Sequence, residues 1–222
     1  MNKCVLLSLF VSLLTLSLSA ENKMLNPVKL VIDDPLTEES WNKHWQKAMG
    51  FWKWEGDSIK GIEDPKQNHH AGAGRIESMQ SAVIEVEFRM DNSQKVQFGT
   101  DFLTKEQKDH LLRVCIDATG VSVRAGKGWG KTTSMKPVGK KVKMKFEPGK
   151  WYKGKVEFHK QEIVVHINDK FVFYGTAEVN QDVEKNRVAL TAKGTASFRN
   201  VKMWHGELKS DWDKVKKSLT QK

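Results

Sequence analysis

Long hydrophobic runs are scarce in this chain of 222 residues, and the single one, residues 5–18, follows Lys3 and precedes small residues. A single short run excludes a multi-span membrane protein, and it is too short to cross a bilayer comfortably. Its charged start, apolar centre and small-residue end are typical of a secretory signal peptide, which we predict over residues 1–20. We therefore expect a secreted or periplasmic protein without stable membrane insertion.

Cysteine is also scarce, because the chain has two and Cys4 would leave with the signal peptide. The mature protein then cannot form an intramolecular disulfide. A lipid anchor is excluded as well, since no cysteine directly follows the apolar run. The remaining Cys115 lies in the strand-like segment 111–117, where an unpaired cysteine usually behaves as a buried small hydrophobe.

Linkers rich in Pro, Gly or Ser are absent from residues 24–206, so this stretch is predicted to form one domain. The 8 Trp and 10 Phe of the full chain supply enough large apolar surface for a core. Alternation of apolar and polar residues recurs in short segments separated by turns, which is typical of a β-sandwich or barrel. The predicted strands include residues 82–90, 142–146, 187–191 and 196–204, with a turn at residues 193–194.

Helical spacing is found in two places. Around residues 38–47, the spacings of three and four among Trp41, His44, Trp45 and Ala48 predict a short helix that packs its aromatic side chains inward. Residues 207–222 predict a C-terminal amphipathic helix built on Leu208, Trp212, Val215 and Leu219. Because its charges are mixed and its apolar stripe is short, we expect it to dock on the sandwich.

Three segments carry a family resemblance. Residues 52–61, WKWEGDSIKG, resemble the opening W-x-v-x-d-G-x-l-x-G of the 3-keto-disaccharide hydrolase domain family, which is often described as family-16 glycoside hydrolase-like. The hairpin at residues 148–168 and the closing strand SFRNVKMW at residues 197–204 are similar to segments of the same family. The resemblance covers residues 51–204 and implies an all-β fold, a concanavalin A-like jelly-roll β-sandwich. It also implies a protein that binds or hydrolyses a glycan.

One segment departs from the family pattern. Many members carry an acidic strand E-x-Q-i-x-D, whereas residues 95–101 read KVQFGTD here and lack the Glu.

Glu85 and Glu87 are the candidate catalytic pair. Two residues apart on a strand, they share a face with Cα atoms about 6.5–7 Å apart. Glycoside hydrolysis uses two carboxyl groups, roughly 5–5.5 Å apart for retention and about 6.5–9.5 Å apart for inversion. The alternative is a solvent-facing strand on which Arg89, a candidate substrate contact, completes a ladder of ion pairs.

Trp129 is the candidate aromatic platform for a sugar ring, because it lies among glycines between Lys127 and Lys131. The alternative places its ring back on the sandwich edge. The same loop, residues 125–132, satisfies a loose phosphate-loop pattern, but no helix is predicted after it, so we reject nucleotide binding.

Lys141, Lys143 and Lys145 are predicted to share one strand face and to contact an anionic polysaccharide or cell envelope. The alternative is a solubilising row that protects a sheet edge. Nucleic acid is excluded as a partner because the exported chain carries no recognition motif. We predict no catalytic metal and no cofactor, while a structural calcium ion stays open. A noncatalytic lectin-like module or an envelope interaction protein is the alternative to an enzyme.

Overall fold

The computed structural model describes residues 22–106, 108–126, 135–180 and 183–220. These ranges contain thirteen β-strands and two α-helices, besides short 3-10 turns. None of the helices in them is long and apolar enough to span a membrane. The strands are β1 (Leu25–Asp34), β2 (Trp45–Met49), β3 (Phe51–Glu55), β4 (Ser58–Ile62), β5 (Ala71–Met79), β6 (Ser81–Leu103), β7 (Lys108–Asp117), β8 (Gly120–Ala125), β9 (Lys136–Lys143), β10 (Trp151–His159), β11 (Glu162–Ile167), β12 (Lys170–Thr176) and β13 (Lys185–Leu208). The helices are α1 (Glu38–His44) and α2 (Trp212–Thr220).

Two long strands, β6 and β13, run through both layers of a jelly-roll β-sandwich. The first half of β6 and the second half of β13 belong to one layer, which we call sheet A. Its strand order is β12-β11-β10-β6-β13-β4-β3, and β1 also pairs with β13. Their other halves join β2, β5, β7, β8 and β9 in sheet B. All strand pairs are antiparallel. The predicted all-β jelly roll is therefore confirmed.

The turn predicted at residues 193–194 is wrong, because β13 continues through it. Gly194 adopts φ +87°, and a Cβ there would lie 2.4 Å from the carbonyl oxygen of Asn92. Only glycine tolerates this conformation and close approach, so the strand bends where it passes from one sheet to the other instead of ending.

The core lies between the two sheets. Phe88 and Phe198 from sheet A and Phe98 from sheet B are fully buried. A Cβ on Gly154 of sheet A would lie 2.6 Å from the Phe98 ring, which shows how closely the layers pack. Cys115 is buried, as predicted, and burial raises the pKa of its thiol, which keeps it protonated.

The predicted helix over residues 38–47 ends earlier, at His44. Thr37 caps its start by accepting a hydrogen bond from the Ser40 N–H at 3.2 Å. Trp45 is already extended and pairs with Arg75 of β5, so sheet pairing overrides the helical spacing. Trp41 and Trp45 are buried as predicted, whereas His44 and Ala48 are exposed.

The C-terminal helix is shorter than predicted, because Leu208 is the last residue of β13 and pairs with Leu25. The remaining stripe, Trp212, Val215 and Leu219, packs on sheet A beside buried Val83 and Val164. The Trp212 indole donates to Glu162 at 2.7 Å. Docking on the sandwich is thus confirmed.

A buried carboxylate holds the start of the described chain. Glu157 has no exposed surface and accepts hydrogen bonds from the backbone N–H groups of Lys23, Met24 and Leu25 at 2.8–2.9 Å. The Nε2 of buried His166 lies 2.7 Å from the same carboxylate and donates to it. This arrangement fixes β1 on sheet A.

Candidate functional site

Glu85 and Glu87 lie on the outer face of sheet A, opposite Lys155 and Lys153 of β10. Glu87 accepts hydrogen bonds from Arg199 Nε at 2.7 Å and Asn200 Nδ2 at 3.0 Å. Glu85 lies 4.0 Å from Lys153 Nζ, and burial raises its pKa because its side chain is only 16% exposed. Both carboxylates therefore face cations, and each carboxylate oxygen of Glu87 already accepts a hydrogen bond.

Arg89 is held by partners other than these two glutamates. Its Nε donates to Asp91 at 2.6 Å, and its guanidinium lies 5.0 Å from the centre of the Trp151 ring. Arg199 lies 4.2 Å from the same ring. The predicted ladder thus extends into a cation–π contact that the sequence did not indicate.

The three predicted lysines are exposed along one edge of sheet B. Lys141 Nζ is 2.6 Å from Asp117 and 2.6 Å from Thr119, and Lys143 is the last residue of β9. The strand predicted at residues 142–146 therefore ends before Lys145. The three lysines line a shallow depression of about 610 Å³ with Ala118 and Met144. Trp129 lies outside the described residues.

A second group of charged side chains lies on the outer face of sheet B, and sequence analysis did not select it. The group lies where β7 and β13 pair with the two sides of β6. It consists of Asp101 of β6, His110 and Arg113 of β7, and Arg187 of β13. Asp101 accepts from Arg187 NH1 at 2.9 Å, forms an ion pair with Arg113, and lies 2.9 Å from His110 Nδ1. We call these four residues the Asp101 cluster.

The Asp101 cluster is buried and carries more positive than negative charge. Asp101, Arg113 and Arg187 expose 1%, 3% and 6% of their surface. Burial opposes ionisation of Asp101, but Arg113, His110 and Arg187 outweigh it and hold its pKa far below the usual range. Two guanidiniums therefore share one carboxylate.

His110 is neutral at neutral pH in this environment. Burial lowers its pKa, and the neighbouring charge of Arg113 lowers it further, although Asp101 acts in the opposite direction. Arg113 NH2 lies 2.7 Å from His110 Nδ1. The cluster thus holds a neutral imidazole beside two fixed cations, an arrangement that can accept a proton and stabilise a developing negative charge.

Small residues border the cluster. Gly74 of β5 pairs with Ala189 of β13, and a Cβ at Gly74 would lie 2.3 Å from Arg187 Nε, so the glycine makes room for the guanidinium. On the next row Gln97 accepts from Thr191 at 2.8 Å and donates to Cys115 at 3.0 Å. Guanidinium, amide and hydroxyl groups on one face are the side chains that bind sugar hydroxyls.

In the described ranges, no three His, Cys, Asp or Glu side chains are grouped as a metal site would require. The adjacent His69 and His70 have ring centres 6.2 Å apart, and His69 Nδ1 lies 2.7 Å from the carbonyl oxygen of His70.

Residues 34–203 match the family described as 3-keto-alpha-glucoside-1,2-lyase-like domain. The chain belongs to this family. The resemblance predicted from the sequence is thereby confirmed. None of the curated proteins matches the chain.

Solved structures share the fold of this lyase-like domain. A carbohydrate-binding module, CBM66 from Bacillus subtilis, is 17% identical with a TM-score of 0.57, over 72% of this chain and 95% of that one. The Bacillus licheniformis β-glucanase is 12% identical with a TM-score of 0.54, over 82% and 100%. An apo Crh5 transglycosylase is 11% identical with a TM-score of 0.60, over 82% and 87%. At these identities the similarity shows the fold alone.

Two features of the sequence indicate part of the Asp101 cluster. Asp101 ends the segment 95–101 that departs from the acidic strand of the family, and Arg113 interrupts an apolar strand between Leu112 and Val114. A charged residue inside such a strand indicates a buried partner. The partner of Arg113 is determined by the pairing of β6 with β7 and β13, and no short segment of the sequence predicts that pairing.

Proposed function

We propose that this protein is an exported carbohydrate-active enzyme that cleaves a 3-keto-glycoside by elimination at the Asp101 cluster. The observation that carries the proposal is the position of His110 beside two guanidiniums that share one carboxylate, and burial, which lowers the pKa of His110, favours its neutral form. The family description supports the substrate class, and the signal-peptide pattern of residues 1–20 supports export.

The chemistry follows from the ketone at C3, which makes the hydrogen on C2 acidic. His110 takes that proton, and the electron pair forms an enolate whose negative oxygen at C3 is stabilised by Arg187 or Arg113. The enolate collapses to a C1–C2 double bond and restores the ketone. The C1–O bond breaks, and the departing oxygen takes up a proton from the protonated imidazole of His110, which returns to its neutral form. Neither an oxidant nor a cofactor is required.

Asp101 has a positioning role in this scheme. Its strongly lowered pKa keeps it ionised, so it does not exchange protons at neutral pH. It holds both arginines and faces the imidazole instead. Ordinary glycoside hydrolysis uses two carboxyl groups as acid and base or nucleophile. The four residues of the Asp101 cluster include one carboxyl group, that of Asp101.

Hydrolysis by Glu85 and Glu87 is the second candidate. It is favoured by the raised pKa of Glu85, because a general acid must hold its proton at working pH. A noncatalytic lectin-like module is the third. In either case Lys141, Lys143 and Lys145 would supply contacts to an anionic polysaccharide.

The decisive experiment compares a 3-keto-glucoside with the same compound deuterated at C2. Elimination predicts turnover that is several-fold slower for the deuterated substrate, with an acid limb set by the lowered pKa of His110 and therefore below about pH 6.5. Arg187→Met and His110→Gln should lose turnover, whereas Glu87→Gln, the matched control on sheet A, should keep it. Turnover without an isotope effect that disappears in Glu87→Gln would support hydrolysis. Binding of a glycan without turnover would support the lectin.

A further inference from the structure

An open groove of about 860 Å³ adjoins the Asp101 cluster at the edge of sheet B. It lies between β2, the Ile76 region of β5 and the end of β6, and Arg187 forms part of its wall. Its volume is within the range of sites for small ligands, roughly 300–1,000 Å³. A substrate held at the cluster could therefore extend into it.

Every charged residue that lines the groove is a cation. Lys47 and Lys105 are exposed at the rim, and Arg187 lies in the wall with 6% of its surface exposed. Arg187 shares Asp101 with Arg113, and its Nε has no hydrogen-bond acceptor among the described residues. The positive charge on this side of the sheet is thus incompletely neutralised.

The groove also has an apolar side. Ile76 leaves 47% of its surface exposed, and Met49 and Leu103 line the same space. A large exposed aliphatic side chain on a strand is unremarkable alone. Beside two other apolar side chains and three cations, it favours a ligand with an apolar face and an acidic group.

We propose that this groove binds a carboxylate carried by the glycoside substrate, next to the sugar that occupies the Asp101 cluster. The inference rests on the proposed function and adds the substrate class: acidic glycosides over neutral ones. The carboxylate has two possible sources, a uronic acid or an acidic phenolic group attached to C1.

The test measures dissociation constants of the full mature protein for four glycosides by NMR titration: methyl glucoside, methyl glucuronide, phenyl glucoside and 4-carboxyphenyl glucoside. We expect at least one acidic compound to bind about tenfold more tightly than its neutral counterpart, the effect of one charge-assisted contact. Preference within the methyl pair would identify a uronic acid, and preference within the phenyl pair an acidic phenol. High salt should reduce the preference, because the rim lysines are exposed.

Two double variants with the same change in charge separate the groove from the rest of the surface. Lys47→Gln/Lys105→Gln should lose the preference for the acid while binding of the neutral compounds is unchanged. Lys29→Gln/Lys170→Gln, which changes two exposed lysines of sheet A, should keep it. Equal affinity for acidic and neutral compounds, or a preference that survives in Lys47→Gln/Lys105→Gln, would overturn this inference and leave the proposed function intact. If none of the four binds, this inference is likewise overturned, whereas the proposed function is decided separately by turnover of the 3-keto-glucoside.

Discussion

Replacing Glu157 by Gln should destabilise the whole domain. The carboxylate accepts three backbone N–H groups and the Nε2–H of His166 with no contact to solvent. A Gln side chain keeps one oxygen acceptor and puts an NH2 donor in place of the other. At least one buried N–H then faces a donor, and the charge that strengthened all four contacts is gone.

The expected loss is about 3–5 kcal/mol, the range for removing one partner of a buried hydrogen-bonded charge. For a domain of this size about 1 kcal/mol moves Tm by roughly 2–4 °C, so the melting temperature should fall by on the order of 10 °C. The assay is urea and thermal denaturation followed by tryptophan fluorescence. Glu147→Gln is the matched control, because Glu147 is 61% exposed and should change stability by less than about 0.5 kcal/mol.

The same carboxylate makes a prediction about acid. Burial raises the pKa of Glu157, but His166 and the backbone N–H groups of Leu25 and Lys23 outweigh it, so the pKa lies below the ordinary value near about 4.3. Its contribution is therefore complete above that value and is lost as pH falls through the lowered pKa. The stability of the parent should decline below about pH 4 more steeply than that of Glu157→Gln. Parallel curves, or a loss of less than about 1 kcal/mol at neutral pH, would refute the assigned role.

Three further changes have defined outcomes. Asp101→Asn leaves two buried guanidiniums without a counter-charge and should cost about 3–5 kcal/mol in urea denaturation; a loss near zero would mean that water already neutralises the cluster. Trp212→Ala removes the indole that fixes α2 on sheet A and should cost about 3–5 kcal/mol, whereas a stability equal to the parent would show that α2 contributes nothing to the domain. Trp129→Ala should weaken glycan binding about fivefold if the ring is a stacking platform, and unchanged affinity in the same titration would contradict that role.

The sequence predicts which strand faces are buried better than it predicts where the long strands begin and end. Alternation identifies Ile84, Val86 and Phe88 as one buried face because each residue is judged against its immediate neighbours. It cannot show that β13 continues past Gly194, since glycine marks a turn and a strand bend equally well. The same limit applies at Trp45, where the helical spacing is real but pairing with β5 decides the conformation.

Prediction of the site fails for a related reason. Glu85 and Glu87 stand out because they are two residues apart, so their proximity is local. Asp101 and Arg187 are 86 positions apart in the chain and meet through strand pairing. Their chemistry becomes visible only when β6 and β13 lie side by side, and a single sequence gives no measure of that pairing.

The position of β13 in the sequence has a consequence for how the chain reaches its native state. This strand is central to both sheets, yet it follows the other twelve described strands in the sequence, and its final residues pair with β1. A nascent chain that ends at residue 184 lacks one neighbouring strand of each of β1, β4, β5 and β6. Contacts so distant in sequence also close slowly. We therefore expect the complete sandwich to form only after β13 has left the ribosome.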